Sequence, residues 1–88
     1  MMNAYHIANN ETAARLASYT ENARECADHA EEHLRADELS AIPSIVNVNA
    51  ARQAATLAEY FATLAGSDRA DEHAARAREA ARSIAARL

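Results

Sequence analysis

The sequence predicts an all-α protein, a small three-helix bundle with a long first helix and alanine-rich close packing. Twenty-five of its 88 residues are alanine, the strongest helix former, whereas it has one glycine and one proline. Small and apolar residues recur at steps of three and four, which is the spacing of one helical face. Because the breaks at Pro43 and Gly66 are tight, we expect consecutive helices to be antiparallel.

A chain of 88 residues fits one domain. We expect an N-terminal lead-in over 1–9 and a single helical domain over 10–88. The helices are expected at about 11–39, 43–65 and 68–87.

The first helix is predicted to begin after Asn9 and Asn10, which are favourable N-cap residues. In the lead-in before it, Tyr5 and Ile7 are expected to pack onto the body of the protein. The small and apolar positions of this helix are Leu16, Tyr19, Ala23, Cys26, Ala27, Ala30, His33 and Leu34. On its other side, Glu31 and Arg35 have the spacing of an ion pair.

The second helix is expected to begin at Pro43 or Ser44, because proline suits a first helical turn. Its main apolar positions are Val46, Ala50, Ala54, Leu57, Phe61 and Leu64. A second set is mostly alanine and comprises Val48, Ala51, Ala55, Ala58, Ala62 and Ala65. Two apolar faces predict that this is the central and most buried helix.

The third helix is expected to follow Gly66, a typical residue just beyond a helix end, with Ser67 or Asp68 as its N-cap. Its inward positions are Ala70, Ala74, Ala77, Ala81, Ile84 and Leu88. Glu72 and Arg76 have the spacing of an ion pair.

Few bulky side chains are available to fill an interior. We expect the inner contacts to include Leu16, Tyr19, Leu34, Val46, Leu57, Phe61, Leu64, Ile84 and Leu88. Alanine allows helices to approach closely but contributes little hydrophobic free energy per residue. We therefore expect self-association, with alanine faces or an overhanging first helix covered by a second copy. The alternative is a monomer with a small core.

One cluster of residues has the chemistry of a metal site. Cys26, His29 and His33 fall within two turns of the first helix, and His73 is a possible further ligand. Thiolate and imidazole ligands suit zinc. The alternative reading is that Cys26 is a small buried hydrophobe and that the histidines are ordinary helix residues.

A second alternative is nucleic-acid binding by the arginine-rich third helix. Arg76, Arg78 and Arg82 are expected on one exposed side, where they would meet phosphates. The net charge of −4 argues against general nucleic-acid binding, and a solvated helix face is the structural alternative.

The largest remaining class is protein–protein interaction. We expect a small, non-catalytic regulatory or interaction module, a homodimer that binds another protein and uses no cofactor. Its acidic stretch from Glu21 to Glu38 suits a basic partner surface. The single cysteine is consistent with a reducing, cytoplasmic setting, and no run of residues is apolar enough for a membrane span.

Overall fold

The fold is an all-α three-helix bundle, as predicted. The computed structural model describes the backbone of residues 4–88 and the side chains of residues 11–88. Its helices are α1 (Ala4–Glu38), α2 (Ile45–Ala65) and α3 (Asp68–Ala85), and each contacts the other two. The described residues include no strand.

Helix α1 begins earlier than predicted. It starts at Ala4, inside the expected lead-in, so Asn9 and Asn10 lie within the helix and do not cap it. An asparagine in a helix interior costs only about 0.7 kcal/mol relative to alanine, which does not stop a helix of this length. The side chains of Tyr5 and Ile7 lie outside the described residues.

The connection between α1 and α2 ends at a serine cap. The Ser44 side chain accepts a hydrogen bond from the backbone N–H of Asn47 at 3.5 Å. Pro43 precedes this cap, so α2 begins two residues later than the earliest predicted start. The extended backbone of Ser44 is the geometry that an N-cap requires.

The turn between α2 and α3 follows the sequence prediction. Gly66 has φ 62° and ψ 30°, the left-handed conformation that favours glycine, and its N–H donates to the carbonyl of Ala62. Ser67 then accepts a hydrogen bond from the N–H of Ala70 at 3.1 Å. Two residues therefore separate the helices.

Contacts along α1 establish that α2 is antiparallel to it. Tyr19 stacks on Phe61, near the end of α2, with ring centroids 6.4 Å apart. At the other end, Asp37 accepts a hydrogen bond from the N–H of Ser44, just before α2.

Helix α3 runs parallel to α1, because α2 reverses the chain once and the Gly66 turn reverses it again. The hydroxyl oxygens of Thr20 and Ser67 are 3.1 Å apart. Farther along both helices, the Arg87 Nε atom lies 2.7 Å from Asp37 Oδ2.

The interior consists almost entirely of alanine. Among the described residues, the buried apolar set contains fourteen alanines and two larger residues, Val48 and Ile84. Methyl groups at helix contacts allow the axes to approach toward the short end of the ~8–10 Å packing range. The interior therefore gains close van der Waals contact but buries little hydrophobic volume.

The predicted inner contacts are largely wrong. Ile84 is buried, and Tyr19, Leu34 and Phe61 are partly buried, but the remaining five are exposed: Leu16, Val46, Leu57, Leu64 and Leu88. Helix α2 turns its alanine set inward, from Val48 to Ala65. A helix packed closely against two neighbours has room for methyl groups on its contact side, so its bulkier residues lie outside.

Asp37 is a fully buried carboxylate on α1 that contacts the start of α2 and the segment after α3 at one end of the bundle. Its Oδ1 atom accepts from the Ser44 N–H at 2.9 Å and from Asn47 Nδ2 at 3.3 Å. Arg87 donates to Oδ2 and, through a second nitrogen, to the Asp37 carbonyl at 2.9 Å. This junction fixes the end of α1 against the start of α2 and the segment after α3.

The Asp37 junction predicts acid sensitivity. The Ser44 N–H and then the Arg87 guanidinium hold the pKa of Asp37 below its ordinary value of 3.8, although burial opposes them. Its contribution to stability is therefore present above about pH 4 and is lost as pH falls toward the lowered pKa. We expect the melting temperature to fall by roughly 10 °C in Asp37→Asn at pH 7, since the amide keeps only one acceptor oxygen and its NH₂ group must face either Arg87 or the Ser44 N–H.

The control for Asp37→Asn is a substitution at the next residue. Glu38→Gln removes the same charge at the exposed neighbouring residue and should leave the melting temperature within about 2 °C of wild type. Between pH 7 and pH 3, Asp37→Asn should lose less stability than the wild-type chain. Equal losses in both proteins would refute the role of Asp37.

Candidate interaction surface

The most distinctive surface is the side of α2 that points away from the bundle. We call it the outer face and define it as Val46, Ala50, Gln53, Leu57, Tyr60 and Leu64. Val46 is 71% exposed, Tyr60 58%, Leu57 45% and Leu64 38%. Single exposed apolar residues are ordinary, whereas these four lie along one row about 27 Å long.

The outer face carries no charge. Helix α2 contains two charged residues, Arg52 and Glu59, and both lie toward α3, where Glu59 accepts a hydrogen bond from Arg78 at 2.9 Å. The residues between them and the outer face are also uncharged, and the hydroxyls of Thr56 and Thr63 donate to carbonyls of their own helix. A helix face that remains in water normally carries charged residues.

The spacing of the outer face is that of a coiled-coil contact. From Val46 to Leu64, the six positions alternate between steps of four and three, which is the heptad pattern. A helix with this pattern presents a straight row to a partner helix. This charge-free heptad can be read from the sequence alone. It is missed when large apolar residues are assigned to the interior by their size.

Apolar residues also cover the end of the bundle where α2 begins. Leu39 is 85% exposed, Ile42 77% and Ile45 56%, and Leu88 is exposed beyond α3. Leu39, Ile42 and Ile45 precede Val46 in the chain and continue its apolar surface at this end of the molecule.

Helix α1 projects past the turn between α2 and α3. All residues from 11 to 18 are exposed, and among the side chains described on α1 the first that is partly buried is Tyr19. Leu16 lies on the same helical side as Ala23 and Ala27, which pack into the bundle. The bundle-facing side of α1 therefore continues beyond the residues that cover it.

Arg76 is engaged in an ion-pair network between α1 and α3. Its Nη2 atom lies 2.8 Å from Asp28 and also contacts Glu31, and His73 Nδ1 lies 2.9 Å from Nη1. The Glu31 and Asp28 hydrogen bonds raise the pKa of Arg76, and Arg76 lowers the pKa of Asp28. Arg24 extends the network through Asp28.

This network corrects the predicted pairings within single helices. Glu31 contacts Arg76 rather than Arg35, and Arg76 turns toward α1 rather than toward Glu72. The carboxylates on the neighbouring helix lie closer to the guanidinium group than the residue one turn away does. The same contacts hold α3 parallel to α1.

The three predicted nucleic-acid residues do not share one exposed side. Arg76 contacts α1, whereas Arg78 contacts Glu59 of α2, because residues two apart point to opposite sides of a helix. Arg82 lies 3.5 Å from Glu79. Each of the three therefore has a carboxylate partner, although Arg78 and Arg82 remain exposed to solvent.

An open groove of about 430 Å³ between α2 and α3 still has a positive lining, from Arg52, Arg78 and Arg82 around Glu59. Arg78 already donates to that carboxylate, whereas Arg52 lies outside the ion pairs of residues 11–88. The excess positive charge beside α2 is therefore concentrated on Arg52.

The predicted metal ligands do not converge. Cys26 packs against the alanine interior, and burial raises the pKa of its thiol. His29 is exposed, and His33 is partly buried on the side of Cys26. Within the part of the chain that the structure describes, no three His, Cys, Asp or Glu residues are arranged to hold a metal ion. His73, the expected further ligand, contacts Arg76.

The interior offers no unsatisfied polar group to a substrate. Every buried side-chain nitrogen or oxygen in the described residues has a hydrogen-bond partner. Asp37, the buried carboxylate, is saturated by backbone and side-chain donors. Its role in this structure is to hold the helix ends together.

No family model, curated protein or solved structure matches this chain. Among the helices as described, none has both the length and the apolar character needed to cross a bilayer. The function is therefore inferred from the surface of the molecule itself.

Proposed function

We propose that this protein is a non-catalytic interaction module that works as a homodimer, with the outer face of α2 covered by a second copy. The observation that supports the proposal is the charge-free heptad from Val46 to Leu64, which leaves four large apolar side chains exposed. Burying a large apolar side chain completely is worth about 1.5–3 kcal/mol. In a symmetric dimer, the interface buries both copies of each of these residues.

The alanine interior supports the same proposal. A chain of this size obtains limited stability from its own core, and this core contains only Val48 and Ile84 as larger apolar residues among those described. Association stabilises the folded chain because the partner binds only the folded form. Dimerisation through α2 would therefore add the bulky contacts that the interior lacks.

The proposed dimer leaves one acidic surface for a further partner. Glu25, Glu32 and Glu38 are exposed on α1 and lie outside the ion pairs among the described residues. A basic protein surface would complement these carboxylates. The partly buried, unpaired Cys26 is consistent with work in a reducing compartment such as the cytoplasm.

The proposal predicts which amides respond to dilution. We expect the ¹H–¹⁵N resonances of Leu57 and Tyr60 to shift between samples at roughly 10 and 500 µM, a range that spans a typical weak-dimer Kd. Ala75, on the exposed side of α3, serves as the reference and should not shift. Shifts confined to residues outside α2, or no shifts at any concentration, would contradict the proposed interface.

A further inference from the structure

A positively charged groove lies between α2 and α3, on a different side of α2 from the outer face. Its walls carry three guanidinium groups, from Arg52, Arg78 and Arg82. Its floor consists of methyl groups, from Ala55, Ala81 and Ala85. We infer that this groove binds an acidic peptide segment of a partner protein, whose carboxylates contact the arginines. The inference goes beyond the proposed dimer and does not depend on it.

Two of the three arginines are available to a ligand. Arg52 is exposed and lies outside the ion pairs of residues 11–88. Arg82 lies 3.5 Å from Glu79, but their side chains are 71% and 68% exposed, so water weakens this pair. Arg52 and Arg82 line the groove from opposite walls. A carboxylate that lies between the walls therefore meets a guanidinium group on each side.

The groove already accommodates one carboxylate of its own chain. Glu59 of α2 accepts a hydrogen bond from Arg78 of α3 at 2.9 Å, and both side chains are 46% exposed. Because the lining has three arginines and this one acid, an excess of positive charge remains for a ligand to neutralise. The planar fork of a guanidinium group matches the two oxygens of a carboxylate.

The walls favour a carboxylate over a phosphate group. Phosphate sites commonly use free backbone N–H groups, at the N-terminus of a helix or in a turn. Both walls here are helix interiors, where the backbone N–H groups are bonded within the helix. Glu59 also stands among the arginines, and its charge repels a doubly charged phosphate more strongly than a singly charged carboxylate.

The groove has the length of a peptide segment rather than of a single small anion. Beyond Glu59 and Arg78, it continues toward Asp71, near the start of α3. From Asp71 to Ala85 it follows α3 for about 21 Å, at 1.5 Å per residue. The excess positive charge is confined to the end that contains Arg52, so we expect the acidic residues of the segment to lie there.

Fluorescence anisotropy with fluorescein-labelled hexaglutamate measures this binding on the full chain. The test variant combines Arg52→Gln and Arg82→Gln, two exposed residues whose replacement should leave the fold intact. The matched control combines Arg35→Gln and Arg69→Gln, which removes the same charge at exposed positions outside the groove. At about 20 mM salt, where screening is weak, Kd should rise at least about tenfold in the test variant and less than about twofold in the control.

A loss of binding confined to the groove variant supports the inference. Equal losses in both variants would show that net charge governs binding and would overturn it, as would a wild-type chain that does not bind hexaglutamate. Displacement of the peptide by millimolar inorganic phosphate at constant ionic strength would identify a phosphate site and also overturn the inference. Because both variants leave the outer face unchanged, none of these outcomes bears on the proposed dimer.

Discussion

Replacing Leu57 by glutamate is expected to convert the dimer into monomers, raising Kd by at least about 100-fold. Leu57 lies near the middle of the outer face and is 45% exposed in the single chain. In the proposed dimer, it lies inside the contact, so each copy would bury a new carboxylate. Sedimentation equilibrium from 1 to 100 µM measures the change directly.

The matched control for this variant is Leu88→Glu. It makes the same chemical change at a leucine that is 63% exposed but lies beyond α3, away from the outer face. This control should dimerise as the wild type does, and both variants should keep a wild-type circular dichroism spectrum because neither position is buried. If both variants dissociate equally, net charge rather than the outer face governs association.

Enlarging the interior is the second change with a large expected effect. Ala58 is fully buried, on the side of α2 that faces the other two helices. Ala58→Leu adds three carbons where helix axes are close, so the helices must separate or the side chain must strain. We expect a loss of about 3 kcal/mol in the free energy of unfolding, at the upper end for overpacked cores. Urea denaturation followed by circular dichroism provides the measurement.

Ala75→Leu provides the comparison for the overpacking variant. It adds the same atoms at an exposed position of α3 and should change the unfolding free energy by less than about 0.5 kcal/mol. An Ala58→Leu protein as stable as wild type would mean that the interior has room for a larger residue. Lack of room between the helices would then not explain why the bulky side chains of α2 face away from the bundle.

The helices and their ends follow closely from local chemistry. Gly66 ends α2 because its backbone adopts a left-handed conformation, and Ser67 caps α3 because its hydroxyl is placed to accept a free N–H. Both effects depend on a few neighbouring residues, so sequence alone predicts them. The start of α1 does not, because no strong breaker precedes Asn9 and a single asparagine cap is too weak to fix a boundary.

The side of α2 that faces inward was harder to predict. A rule that places large apolar residues inside selects Val46, Leu57 and Leu64, but the structure buries the set that begins with Val48. The deciding factor is the spacing between helices, which depends on all three at once. Arg52 and Glu59 predict the orientation of α2 better than residue size does. Charged residues lie on the side of a helix that meets charged neighbours.

The arginine positions show why side-chain partners need the tertiary structure. Arg76 has a possible partner one turn away in Glu72, yet it contacts Asp28 and Glu31 on α1. Those carboxylates are 48 and 45 residues distant in the chain. Only the parallel alignment of α1 and α3 brings them together.

The molecular mass of the unmodified chain in solution tests the central claim most directly, namely that the outer face of α2 is covered by a second copy. Sedimentation equilibrium should give a mass that rises with concentration toward twice 9.5 kDa. A mass that stays at 9.5 kDa up to about 100 µM, where even a weak dimer would form, would contradict the claim.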